Sequence, residues 1–278
     1  MLDIKRIPIP ALIGIVLTTL FVLAAIFAPF IAPHGNGEII GDVWEPMSSA
    51  HWLGTDNLGR DLLSRMIYGA RITLFIAVLA TALSFSLGAI LGFSAAVFGG
   101  WYDTLLSRLV DLLMSIPTLI MALVVLSVLP TNLVTLILVM GVLDSTLVYR
   151  LSRAVAADIN IMDYVEAAKL RGEGSGWIIF REILPNALPM VIVQVALDAS
   201  TAILIEAGLG FLGLSDPTVP SWGEMLNRGQ EFLELAWWMS VFPGMAIAIA
   251  VLGFNLFADG VTEMFNPRAS VVPPKLEG

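Results

Sequence analysis

The sequence predicts an all-α polytopic membrane protein with six transmembrane helices, and three observations carry that prediction. Of the 278 residues, 58% are hydrophobic and 13% charged, about half the charge of an ordinary soluble domain. Mean hydropathy is +0.89. Several apolar stretches reach the ~20 residues that a helix needs to cross a hydrocarbon core. The basic residues also gather in alternate connections, as the positive-inside rule requires of a multi-pass chain.

Taken in order, the spans fall at roughly 9–31, 73–98, 105–129, 132–150, 187–212 and 237–258, within a single domain covering 1–278. The first follows Lys5 and Arg6 and resembles a signal peptide, with Ala28 near a cleavage point. Its apolar core exceeds the ~7–15 residues of a signal h-region, so it reads as a retained helix. The second carries Gly88 and Gly92, a small-xxx-small face suited to close helix contact. Pro117, Pro189 and Pro243 lie inside the third, fifth and sixth spans, where each frees a carbonyl and favours a kink. Gly99-Gly100 and Pro130-Thr131 are tight connections. Trp222, Trp237 and Trp238 fall near span ends, where amphipathic rings favour the headgroup layer.

Placing the N-terminus inside puts Lys5, Arg6, Arg108, Arg150, Arg153, Lys169, Arg171, Arg181, Arg268 and Lys275 on the cytosolic side. Arg60, Arg65, Arg71 and Arg228 are left outside, ten against four. Both termini are then cytosolic. The net charge of −9 argues against nucleic acid, which needs clustered Lys and Arg. Without cysteine there is no disulfide, thiolate metal site or thiol nucleophile, and no metal site or catalytic constellation emerges. No G-x-x-x-x-G-K-[ST] phosphate loop is present, so the chain is not an ATPase.

The polar connection between the fourth and fifth spans, residues 158–185, is the main cytosolic island. Asp163 with Glu166 has capping-box spacing, so a helix can start at Tyr164. Gly172 is placed to stop it in the left-handed conformation. A second short apolar segment, Trp177 to Leu184, completes a two-helix bracket. An isolated helix of about eight residues is marginal in water, so docking of another protein would explain why it forms. Tyr164, Val165 and Leu170 offer apolar contact; Ala167 and Ala168 offer close approach; Glu166, Lys169 and Arg171 offer charge. The same residues also fit a bracket that merely lies on the membrane.

Glu166-Ala167-Ala168, three residues, Gly172, then Ile183-Leu184-Pro185 resembles the EAA loop of permease subunits in ABC importers. Pro185-Asn-Ala-Leu-Pro189, His51-Trp-Leu-Gly-Thr-Asp-Asn-Leu-Gly-Arg-Asp61 with Tyr68-Gly-Ala-Arg71, Glu206-Ala-Gly-Leu-Gly-Phe-Leu-Gly213 with Pro220-Ser-Trp-Gly-Glu-Met225, and Phe254-Asn-Leu-Phe-Ala-Asp-Gly260 with Asn266-Pro-Arg268 resemble its dipeptide, oligopeptide and nickel branch, in particular the C-type permease. Asp144 and Ser145 depart from the pattern, standing where a more apolar approach to the cytosol is expected.

The resemblance implies a type I importer fold in a bacterial or archaeal cytoplasmic (inner) membrane. It implies that this chain forms half of a pathway for peptides or a related solute such as a nickel complex. Its implied partners are a second homologous permease subunit in a heterodimer, two cytosolic ATP-binding subunits, an extracytoplasmic substrate-binding protein and membrane lipid. ATP and Mg would sit on the partner subunits, and this chain would bind no cofactor. The helix from Tyr164 to Gly172 would couple to the ATPase, with Glu166 pairing a basic residue there. Asp61 to Gly69 reads as a short amphipathic helix on the outer side, making Asp61, Leu62 and Met66 candidates for binding-protein docking.

Inside the spans, Gln194, Asp198 and Thr201 recur at spacings of four and three and share a helix face. Glu206 lies about 80° round from Asp198. Charge at bilayer depth costs at least ~2.5–3.5 kcal/mol and rarely faces lipid. These four residues are therefore candidates for the translocation pathway, with interhelical bonding as the plainer alternative. An ion-coupled secondary transporter or channel using Asp198 and Glu206 is the competing functional class.

Overall fold

The computed structural model describes residues 9–265, all in helices, turns and irregular segments, with no strand among them. Arg268 of the last family-like motif, and Lys5, Arg6 and Lys275 of the charge argument, lie outside the described residues. The helices are α1 (Ile9–Ile26), α2 (Ala28–Ile31), α3 (Leu62–Phe98), α4 (Gly100–Met114), α5 (Thr118–Val128) and α6 (Leu133–Asn160), then α7 (Asp163–Leu170), α8 (Ser175–Trp177), α9 (Leu184–Phe211), α10 (Trp222–Gly229) and α11 (Trp238–Phe265). Five continuous helical stretches are long and apolar enough to cross a membrane, and α4 with α5 makes a sixth if a bent pair counts as one.

Small residues set the packing. The most extensive helix pair is α3 with α6. A Cβ added to Gly88 would lie 2.6 Å from Val148 Cβ, and one on Gly92 2.7 Å from the Tyr149 carbonyl. Gly141 of α6 answers with the same closeness to Leu83 of α3, at 2.7 Å. Without these glycines the two backbones cannot approach as they do. α1 runs antiparallel to α11, with Gly14 against Phe257 and Gly253 against Leu17. Most of α1 is otherwise bare, including Leu12, Val16 and Leu20.

Because α3 and α6 run parallel, the chain has to return between them, and it does so through α4 and α5. Those two helices meet at 86° across Ser115–Pro117. Pro117 explains a bend, since its ring excludes a continuing helix. The kink expected in the third span is a sharp corner. α6 also outruns its expected end at 150, continuing as helix to Asn160. Asp144 is consequently mid-helix, and its departure from an apolar cytosolic approach dissolves.

The expected separate helix at Asp61–Gly69 does not exist. Those residues form the first turns of α3, with Asp61 as the N-cap accepting from Ser64 N at 2.8 Å. Asp61 and Leu62 are buried and Met66 half-buried, so the first two turn no side chain outward for docking. The preceding segment, 32–61, folds over the starts of α3 and α11. Thr55 bonds Glu45 N and the Asp42 carbonyl, and Trp238 Nε1 donates to the Thr55 carbonyl at 3.1 Å. A chain of charge, buried at Asp56, Arg65 and Glu224, runs from Arg60 through Asp56 to Arg65 (3.4 Å), then to Glu224 (3.3 Å) and Arg228.

Two of the three tryptophans expected in the headgroup layer are core residues instead. Trp222 is 1% exposed, seated over Gly69, with its Nε1 donating to the Met66 carbonyl at 3.0 Å. Trp238 is also buried, and Trp237 is exposed.

Candidate functional site

At the end opposite α10, α7 hangs between α6 and α9. It starts one residue before the expected Tyr164, with Met162 as N-cap and no side-chain cap bond. The Asp163–Glu166 capping box therefore does not form: Asp163 is already helical. The stop is as expected. Gly172 takes φ +82°, and Glu173 N reaches back to the Ala168 carbonyl at 3.2 Å, a Schellman closure. Lys169 Nζ donates to the Asn160 carbonyl at 3.0 Å, and the Arg171 guanidinium lies 5.9 Å from the Trp177 ring.

The faces of α7 differ from the contact set expected for it. Val165 and Ala168 point inward and are fully buried, Val165 in a cluster with Ala156, Ile178, Ile183, Ala187 and Phe93. They hold the helix to its own chain rather than offering contact to another. The outward set is Tyr164, Glu166, Ala167 and Leu170, the last 89% exposed. Ile161, Met162 and Phe180, which flank α7 in the chain, are exposed as well. None of the three was a candidate.

The expected second arm of the bracket is no separate helix. From α8 the chain enters a π-helical turn, Ile178–Ile183, and runs straight into α9. Leu184 N bonds the Ile179 carbonyl, five residues back. Pro185 has no N–H to give the Arg181 carbonyl, which is a physical reason for the ladder to widen here.

The polar stripe of α9 divides. Gln194 Nε2 donates to Asp198 Oδ1 at 2.6 Å, while Asp198 Oδ2 has no partner among the described residues and the residue is 6% exposed. Asp198 and Thr201 line a cavity of about 200 Å³ at the α4–α5 corner, together with Asp144 of α6. Asp144 was not a site candidate; its expected place near a span end hid its mid-helix position. Glu206 does not join them. It is 0% exposed, enclosed by α9, α3 and α10 beside the hydroxyls of Ser221 and Thr73. As placed here it lines no cavity with Asp198, because the 80° offset carries it to the opposite side of the stripe. Among the described residues no group of three or more His, Asp or Glu side chains is arranged to hold a metal ion.

Residues 88–271 match the family described as binding-protein-dependent transport system inner membrane components. The chain belongs to that family. The matched stretch contains both the α7 bracket and the cavity. Along nearly its whole length the permease is similar to the dipeptide transport system permease protein DppC of Alkalihalophilus pseudofirmus, 36% identical over 93% of this chain and 86% of the relative. It is 38% identical to the protein of that name from Haemophilus influenzae, over 93% and 90%. The probable D,D-dipeptide transport system permease protein DdpC of Escherichia coli is 36% identical, over 91% and 86%. The permease is thus a multi-pass inner-membrane subunit of an ABC transporter, and membership implies other subunits of that transporter.

Proposed function

We propose that this permease forms half of the translocation pathway of a peptide importer, paired with a second, homologous permease. Two cytosolic ATP-binding subunits drive it and an extracytoplasmic binding protein supplies the solute. All six crossings are used, the α4–α5 corner included, and both termini and α7 are cytosolic. Peptide is the favoured cargo because the similar proteins carry dipeptide or peptide transport in their names.

The observation that carries this reading is the mounting of α7. Its inner face is packed through Val165 onto the π-turn that begins α9, and α9 carries Asp198 into the mid-span cavity. A push on the outward face of α7 is thereby delivered to a helix that borders the cavity. The exposed Tyr164, Ala167 and Leu170 around Glu166 suit a groove with apolar walls and a basic residue.

Ala167→Trp and Glu166→Lys test it, since both side chains are outward and neither change disturbs packing within the chain. Each is expected to leave membrane insertion intact and to lower ATP-dependent peptide uptake at least about tenfold, roughly 1.4 kcal/mol of docking. Uptake at the wild-type rate in both variants would remove α7 from the coupling path. Collapsing the proton gradient with ATP maintained is expected to leave uptake running, which separates this mechanism from an ion-coupled one.

A further inference from the structure

We propose that the cavity at the α4–α5 corner is a cation site, built by Asp144 of α6 and Asp198 of α9, that takes the protonated amino group of the passing solute. The proposal rests on the peptide-importer reading and names the chemistry that reading leaves open.

Depth comes first. Asp144 is eleven residues from Leu133, or about 17 Å along α6, and Asp198 lies about 20 Å from either end of α9. The eleven residues of α5 place the Ser115–Pro117 break about 16 Å from the far end of that helix. Two carboxylates and a helix break therefore meet at one level, near the middle of the molecule's long axis.

Charge comes second. Asp198 is 6% exposed, and among the described residues only its Oδ1 is bonded, to Gln194, while Oδ2 has no partner there. An unpartnered buried carboxylate oxygen carries its full desolvation cost. Asp144 lines the same cavity and its charge repels that of Asp198. Among the described residues no basic side chain lines the cavity. Arg150 reaches only the sulfur of a lining residue, Met114, at 3.7 Å. A monovalent cation between the two carboxylates relieves both costs at once.

Size and access come third. About 200 Å³ is below the ~300 Å³ at which ligand pockets for whole small molecules begin. It suits an ammonium group with its adjoining carbons rather than an entire peptide. Thr201 is exposed as well as lining, so the cavity opens outward from α9. The site would hold one end of the solute while the rest stays in the open pathway.

The absence of cysteine from the chain provides a direct test. Thr201→Cys, in the assembled transporter reconstituted in vesicles, is treated with methanethiosulfonate reagents of equal size bearing a trimethylammonium or a sulfonate. Modification is read as the mass of this subunit. The cationic reagent is expected to react about tenfold faster or more, as field focusing in a cleft allows. In D144N/D198N, which keeps side-chain shape, the two rates are expected to converge within about twofold. Ethylammonium should slow the cationic reagent, and sodium at the same concentration should not.

Equal rates without the Asn substitutions, or a preference that survives them, overturns the cation site. Equal protection by sodium overturns the assignment to an amino group. In transport, D144N/D198N should lose alanyl-alanine uptake at least about tenfold while ATP hydrolysis stimulated by the binding protein persists. Unchanged uptake overturns the proposal. Absence of ATP-driven peptide uptake before any substitution would instead remove the importer reading and leave the labelling result standing.

Discussion

Trp222 joins three helices through one side chain. Its backbone N–H donates to Thr73 Oγ1 at 3.1 Å, its indole N–H to the Met66 carbonyl, and its ring meets Phe21 edge-on at 5.6 Å. Gly69 makes room beneath it, and a Cβ there would stand 2.9 Å from the indole Cδ1. Trp222→Ala is expected to cost about 3–5 kcal/mol through the cavity left behind, read as a fall in the melting temperature of the purified protein. A neutral effect would show that α10 is held by its other contacts, the Arg65–Glu224 pair and the close approach of Gly223 to Ala207 among them. Tryptophan near a predicted span end points to an interface on composition. It became core here because Gly69 opens a space beneath it, and that space is a tertiary fact absent from local sequence. Gly172 behaved differently: a glycine ending a short helix has one dominant physical use, and its φ of +82° was legible from position alone.

Among the elements, α7 and α9 form one mechanical unit through the π-turn. Eight residues do not hold a helix in water, so burial of Val165 and Ala168 is what keeps α7 formed. Val165→Asp buries a charge against Ile178 and Ile183 and is expected to release the helix. Amide exchange over 163–172 should then rise at least about tenfold, with insertion and the α3–α6 packing unchanged. Retained protection in that variant would mean the segment is held by Lys169 and Arg171 instead. Hydropathy revealed how many apolar stretches exist but is blind to direction. It therefore marked Pro117 as a kink without revealing an 86° corner, and it closed α6 ten residues early because Arg150 and Arg153 resemble a membrane exit. Arg153 is in fact paired with Asp103 across to α4, its Nη2 donating to Oδ2 at 2.6 Å. That ion pair joins residues fifty positions apart and left no local sign.

For the molecule as a whole, segment 32–61 and α10 occupy one end and α7 the other. The charge bias assigns the first end to the outside and the second to the cytosol. Single cysteines placed at Glu38 and at Glu173 test this in a chain that has none of its own. A membrane-impermeant maleimide is expected to label the Glu38→Cys variant in sealed right-side-out vesicles and the Glu173→Cys variant only in inverted ones. The opposite pattern would place α7 outside and end its assignment to ATPase coupling. Much of α1, α4 and α5 presents large bare apolar side chains, among them Leu20, Leu112 and Val128. Lipid and a second subunit are the two environments in which that surface is stable.

The widened ladder at Ile178–Ile183 has an angular consequence. Each residue advances a helix by about 100° of azimuth, so the face that α9 turns toward α6 depends on how many residues separate it from Ala168. Winding those six residues as ordinary helix, with none removed, would swing Asp198 by roughly a quarter-turn away from Asp144 while every side chain in the chain stayed chemically intact. In this protein the bearing of a carboxylate at mid-depth is set by the thread count of a screw some twenty ångströms below it.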